Sequence, residues 1–167
     1  MGKKLDTFAA QCHDIIKTGT SQENLDKVKS LLEPLLTDEE FIAEHIGPDF
    51  NEKRHLLYQD PEFDFCILAH KYSGANEAPP HDHGPTWAIY GQSSGVTHMT
   101  EFQKLSEASD AEPGKVEPTK SYDLKPGMAV AYAKGSLHAP KREGDTKLIR
   151  MEGLDVSKIK RDKFVVA

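Results

Sequence analysis

The chain has 167 residues, a formal net charge of −6 and a pI near 5.7, enough for one domain with a substantial core and too short for two of ordinary size. That acidic balance offers no basic face for nucleic acid or anionic lipid, so neither is expected as a partner. No apolar run approaches the ~18 residues of a membrane span, the start Met1-Gly2-Lys3-Lys4-Leu5-Asp6 lacks the apolar stretch of a secretory signal, and a cytoplasmic protein is expected.

Residues 5–46 carry helical periodicity. Leu5, Phe8, Ala9, Cys12, Ile15 and Ile16 fall on one face until Thr18-Gly19-Thr20 breaks the pattern. Leu25, Val28, Leu32, Leu35 and Leu36 line a second stripe, with Pro34 expected to bend or fray its end. Thr20-x-x-Glu23 and Thr37-x-x-Glu40 look like capping boxes, and a short third helix over 38–46 closes at Gly47-Pro48. The spacing predicts a helical cap over 1–50, packed on one face of a sheet formed by residues 51–167 of the same folding unit. Cys12 and Cys66 are too few for a disulfide framework and are expected to be reduced and buried.

From Lys53 the period becomes two. Phe63, Phe65, Ile67 and Ala69 alternate with Asp64, Cys66, Leu68 and His70, and further strands are predicted over 87–90, 95–102, 116–123, 129–132 and 147–152. Many short strands with frequent turns favour a sandwich or barrel. Residues 105–114 are polar and read as a mobile hairpin tip, Leu124-Lys125-Pro126-Gly127 reads as a turn, and the basic run over 158–163 reads as solvated.

His81-Asp82-His83 and the later His138 carry the chemistry. On a strand, an HxH pair puts His81 and His83 on one face and Asp82 on the other. Two imidazoles need a further ligand, and His138, on a later strand after a glycine turn, is placed to supply it. The first pair sits in the frame Gly74-x6-His81-x-His83-x4-Ala88-x6-Gly95, and the third in Gly127-x5-Ala133-x-Gly135-x2-His138-x3-Arg142. Together these frames resemble the two signature motifs of the cupin superfamily, although Gly74 stands one residue further from His81 than usual. The resemblance implies a mainly β fold, a double-stranded β-helix (jelly-roll barrel) with the helical cap at its N-terminus, and a metal held by His81, His83 and His138.

The cupin pattern usually has Glu where this chain has Ala88. With three neutral imidazoles the metal would keep its full charge and about three open positions if six-coordinate. Glu101 is not an obvious replacement, because it falls on the strand face opposite His98; Glu77 could reach the metal from a loop. His98 follows Gly95 on a strand expected to adjoin the metal strand and is assigned a supporting place beside the centre. Alternation puts Trp87 on the histidine face, where it would wall the pocket; the competing reading is that Trp87, Tyr90 and Tyr132 fill the barrel interior.

Within the cupins, the helical cap, an Arg before an apolar strand, Pro80-His81-Asp82-His83 and Gly135-Ser136-Leu137-His138 are similar to the cysteine and mercaptopropionate dioxygenase group. That resemblance implies Fe(II), O2 and a small thiol carboxylate as substrate. Arg54 stands close to where those enzymes carry the Arg that binds the carboxylate, a task suited to a planar guanidinium; a surface Arg beside Glu52 and Lys53 is the competing reading. Arg150 either enters the barrel as a second anion-binding group or forms a rim pair with Glu152, and Arg142 is a further candidate. The chain departs from the group in having Ala88 near the position of a Cys that crosslinks to Tyr, in having no Tyr after Tyr132, and in its sequence after His138. Two other readings remain open: an isomerase or lyase using Zn, Ni or Mn as a Lewis acid, and a non-catalytic binding module. A homodimer through sheet edges is compatible with any of them.

Overall fold

Apolar residues at helical spacing make the cap. The computed structural model describes residues 2–167. Helix α1 (Lys3–Ile16) buries Leu5, Phe8, Ala9, Cys12 and Ile16, and α2 (Gln22–Leu32) buries Leu25, Val28 and Leu32. Pro34 ends α2 as predicted, by converting its last turn to a 3-10 segment over Glu33–Thr37; α3 (Glu39–His45) follows. Both predicted capping boxes are one residue out of place. The caps are Ser21, whose Oγ accepts from Asn24 N, and Asp38, whose carboxylate accepts from Phe41 N at 2.9 Å. At α3 an ionised carboxylate outcompetes the neighbouring Thr37 hydroxyl, since its hydrogen bond is charge-assisted and it sits at the positive end of the helix.

Ten strands follow: β1 (His55–Gln59), β2 (Cys66–Tyr72), β3 (Asn76–Glu77), β4 (Ala88–Ser94), β5 (Thr97–Ser106), β6 (Gly114–Leu124), β7 (Ala129–Tyr132), β8 (Leu137–Arg142), β9 (Thr146–Glu152) and β10 (Phe164–Val166). They form two five-stranded sheets, ordered β1-β2-β9-β4-β7 and β10-β6-β5-β8-β3. Only β10 pairs in parallel, with β6. The chain crosses between sheets at β7, β8 and β9, so late strands lie between early ones. That interleaving is the expected jelly-roll barrel with a helical N-terminal cap.

Strands with clean alternation are where the sequence puts them, and the exceptions have local causes. β2 starts at Cys66 and not at Phe63, because residues 61–63 form a turn and Asp64 takes φ +62°. β1 is half-exposed with no regular alternation, β3 spans two residues and β10 three, so none has a readable period. Gly95 has φ +73° between β4 and β5, where a side chain would also run into the Asp145 carbonyl.

The cap packs on the outer face of the first sheet. Leu5, Phe8, Leu25, Leu32, Leu36 and Phe41 share one cluster with Ile67, Ile89, Ile149 and Met151 of the strands. Gly91 on β4 permits the close approach, since a Cβ there would lie 2.8 Å from the methyl groups of Leu32 and Leu36. Cys12 and Cys66 are free and buried, and burial pushes the Cys66 thiol up to about 11. No helix of the described residues is long and apolar enough to cross a membrane.

Candidate metal centre

His81 and His83 are not on a regular strand, contrary to the sequence expectation. Pro79 and Pro80 before them and Pro85 after them lack the backbone donor a ladder needs. Only one rung forms: His81 N donates to His138 O and His138 N to His81 O, both at 3.0 Å. Past that rung the chain turns at Gly84, with φ +63° and its N–H held by the Asp82 carboxylate at 2.9 Å. The turn carries His83 inward, so the pair converges through a loop tied to β8.

The three imidazoles meet. One ring nitrogen from each of His81, His83 and His138 lies within 4.8 Å of the others, and His83 Nε2 is 3.2 Å from His138 Nε2. Between them sits the Tyr90 hydroxyl, 2.9 Å from His83 Nε2, 3.3 Å from His138 Nε2 and 3.4 Å from His81 Nε2. His81 Nδ1 faces Pro79 O at 2.9 Å and His138 Nδ1 faces Ser136 O at 3.1 Å. A carbonyl only accepts, so both Nδ1 atoms carry protons and both Nε2 atoms present lone pairs inward. Burial pushes the His81 pKa down to about 4 and holds those of His83 and His138 well below the usual imidazole value, reinforced at these two by the neighbouring histidines, so all three rings are neutral at pH 7. His83 Nδ1 is buried with no partner among the described residues, so the fold does not set its tautomer, and the proton between the Nε2 atoms is carried by His83 or by the Tyr90 hydroxyl. A donor set of this kind fits a divalent cation.

The centre lies in the wall of a cavity of about 810 Å³ whose lining is strongly cationic. Arg150 enters the barrel and also pairs with Glu152. Its Nη1 is 3.5 Å from Tyr90 Oη, its guanidinium stands over the Tyr90 ring at 5.4 Å, and its Nε is 3.5 Å from Glu152 Oε1. Burial opposes its charge, but Tyr90, Tyr72 and Glu152 outweigh that effect and hold its pKa above the usual arginine value. Arg142, 4% exposed, stacks on Tyr72 at 4.3 Å and donates to Thr97 and Asn76. Its Nη2 is buried with no hydrogen-bond partner among the described residues. Arg54 also lines the cavity, but its guanidinium is held by Glu152 at 3.2 Å and Asp155 at 3.0 Å.

Four expectations are corrected: those for His98, Trp87, Glu77 and the basic run near the end. His98 is half-exposed on the outer face of its strand, paired with Asp123 at 2.7 Å, and does not line the cavity; its neighbour Met99 is the residue that faces inward. Glu101, two positions after Met99, therefore shares the inner face and pairs across the sheet with His138. It accepts from Tyr122, which accepts from Tyr132, whose ring stacks on His138 at 4.0 Å. Trp87 faces the helical cap instead of the histidines. Glu77 lines the cavity but contributes no donor to the cluster. The basic run near the end is not wholly solvated, since Arg161 donates to Asp82 O at 3.0 Å and lines the cavity.

No protein-family model matches the sequence, and no curated protein matches it. Solved structures do. Some of the structures that this barrel is similar to are described as cupins. A cupin superfamily protein from Desulfitobacterium hafniense is 15% identical over 64% of this chain and 84% of its own, with TM-score 0.44. A cupin-2 domain containing protein from Shewanella frigidimarina is 14% identical over 72% and 96%, TM-score 0.44. KdgF from Halomonas sp. is 19% identical over 65% and 86%, TM-score 0.44. The fold assignment rests on the strand order and not on likenesses this distant.

Tyr90 is the site residue that sequence reading treated only as filling. Its signal was parity: it stands two positions after Ala88, on the same face of β4, directly after the ligand pair.

Proposed function

We propose that this protein is a metal-dependent enzyme acting on a small anionic substrate, and that the reaction is O2-dependent oxidation of a thiol carboxylate at an Fe(II) centre held by His81, His83 and His138. The observation that carries this reading is the convergence of three neutral Nε2 donors in the wall of a cavity lined by Arg142, Arg150 and Arg161. Neutral ligands leave the ion its full charge, so it favours an anionic donor such as a thiolate. A bound ferrous ion would supply the redox activation of O2 and would lower the pKa of a coordinated thiol.

The chain's own residues orient the substrate. Arg142, with an unpaired Nη2, and Arg150 are set to receive the carboxylate, while Arg54 is engaged by Glu152 and Asp155 and fixes the rim of the cavity. Arg161 and Ile159 line the same cavity beside the His81–Gly84 loop. The Tyr90 hydroxyl stands 2.9–3.4 Å from the three Nε2 atoms, within reach of the reacting atoms.

The test is metal analysis of the purified protein, followed by oxygen uptake after Fe(II) loading with cysteine, 3-mercaptopropionate or a β-diketone. Stoichiometric O2 consumption with formation of a sulfinate from a thiol substrate supports the reading. Inertness toward all three rules out the dioxygenase class, and turnover of an anionic substrate without O2 would replace it with Lewis-acid chemistry.

A further inference from the structure

We propose that Tyr90 is a fourth protein donor to the metal, so that the centre is a His3Tyr set built from His81, His83, His138 and the Tyr90 phenolate. The inference rests on the three-histidine reading and adds to it. Donors about 2.0–2.1 Å from a tetrahedral ion lie about 3.3–3.4 Å from one another. Four of the six separations here are on that scale: the hydroxyl to the three Nε2 atoms at 2.9, 3.3 and 3.4 Å, and His83 Nε2 to His138 Nε2 at 3.2 Å. An oxygen that approaches all three nitrogens this closely stands at the fourth vertex around an ion bound by them. A phenol beside the site for some other purpose would face one ligand or the substrate.

The fold holds the oxygen there. Tyr90 is 1% exposed, its ring packed against Met99, Leu124 and Tyr132. Ala88, two residues earlier on the same face of β4, is small enough to leave the approach clear. Arg150 places a positive charge 3.5 Å from the oxygen, which offsets the negative charge of a phenolate. When the ion binds, the phenol O–H bond breaks, the oxygen–metal bond forms, and the proton leaves to solvent through the cavity. No change of oxidation state is involved. A six-coordinate ion would then keep about two positions for substrate and co-substrate, and its net charge would fall by one.

Cu(II) is the probe, because it heads the affinity order for nitrogen and oxygen sites and because a bound phenolate gives it an intense visible charge-transfer band. One equivalent is added to the metal-free protein and to the Tyr90→Phe, Tyr132→Phe and His138→Ala variants, with bound copper measured in each. The proposal expects the band in the wild-type and Tyr132→Phe proteins and its loss in Tyr90→Phe while copper stays bound. It also expects Zn(II) binding to Tyr90→Phe to weaken by about 10–100-fold, the scale on which even groups supporting the ligands act. Zn(II) added to wild-type protein should produce the ultraviolet difference spectrum of one ionised tyrosine, a readout that needs no variant. Copper bound through the histidines without the band, or a band that survives in Tyr90→Phe, overturns the proposal and leaves the three-histidine site standing. Failure of the wild-type protein to bind copper, with His138→Ala behaving identically, overturns both.

Discussion

Neutral histidines, with the tautomers of His81 and His138 fixed by backbone carbonyls, define the chemistry at the residue scale. The triad was legible because its members fall in two glycine frames that resemble the cupin motifs, and that resemblance, more than the HxH spacing, implied the convergence. His98 was not legible. Alternation says which residues share a face but not which face lies inside, and a shift of one residue put Met99 in the barrel and His98 on the surface. Tyr90 and Arg150 were visible as residue types, but their place beside the triad depends on closure of the barrel. Replacing Arg150 by Gln removes a charged donor 3.5 Å from the Tyr90 hydroxyl. It should weaken binding of 3-mercaptopropionate to the metal-loaded protein by about 10–100-fold, the worth of a charge-assisted hydrogen bond, as read by calorimetric titration.

His70 gives a pH prediction away from the ligands. It lies on β2, 1% exposed, with Nδ1 donating to Lys53 O at 2.7 Å and Nε2 buried with no partner among the described residues. Burial, aided by the charge of Arg150, depresses its pKa to about 2. The unfolded chain takes up this proton near pH 6.5 and the folded chain does not. The stability that neutral His70 contributes is therefore complete above about pH 6.5 and is lost progressively as the pH falls toward 2. Between pH 6 and 4, His70→Gln should flatten the dependence of unfolding free energy on pH by about one proton, or about 1.4 kcal/mol per pH unit. Denaturant titrations of both proteins at several pH values check this through the slope, whatever the variant's absolute stability.

Strands and helices were legible in proportion to the regularity of their apolar period. β7 and the amphipathic helices stand where alternation and helical spacing put them, while β3 and β10 owe their existence to partners distant in sequence and too few residues to show a pattern. The HxH segment failed as a strand for a local reason, the prolines on both sides of it, yet its histidines still reach His138 because a single rung to β8 aligns it. At this scale the cap is tied to the barrel through Leu32, which is fully buried against Gly91 of β4. Leu32→Ala should cost about 2–5 kcal/mol and, because cap and sheet share one apolar cluster, should lower the unfolding midpoint seen by far-ultraviolet circular dichroism and by Trp87 fluorescence together. Separate transitions for the two probes would show that the cap unfolds alone.

Over the whole molecule, the net charge hides the distribution that matters. The chain carries −6 overall, yet the cavity beside the three-histidine cluster is lined by Lys53, Arg54, Lys71, Arg142, Arg150 and Arg161 against Glu77 and Glu152. Composition alone did not indicate an anion site, since gathering these cations requires β2, β8, β9 and the C-terminal segment to meet at one end of the barrel. The central claim is that three imidazoles at that place hold one metal ion. X-ray absorption at the metal edge of protein loaded with a single equivalent of Zn(II) or Fe(II) tests it most directly. The prediction is about three imidazole nitrogens at roughly 2.0–2.1 Å for zinc, lost in His138→Ala; a first shell of oxygen alone, or one that His138→Ala leaves unchanged, would contradict it.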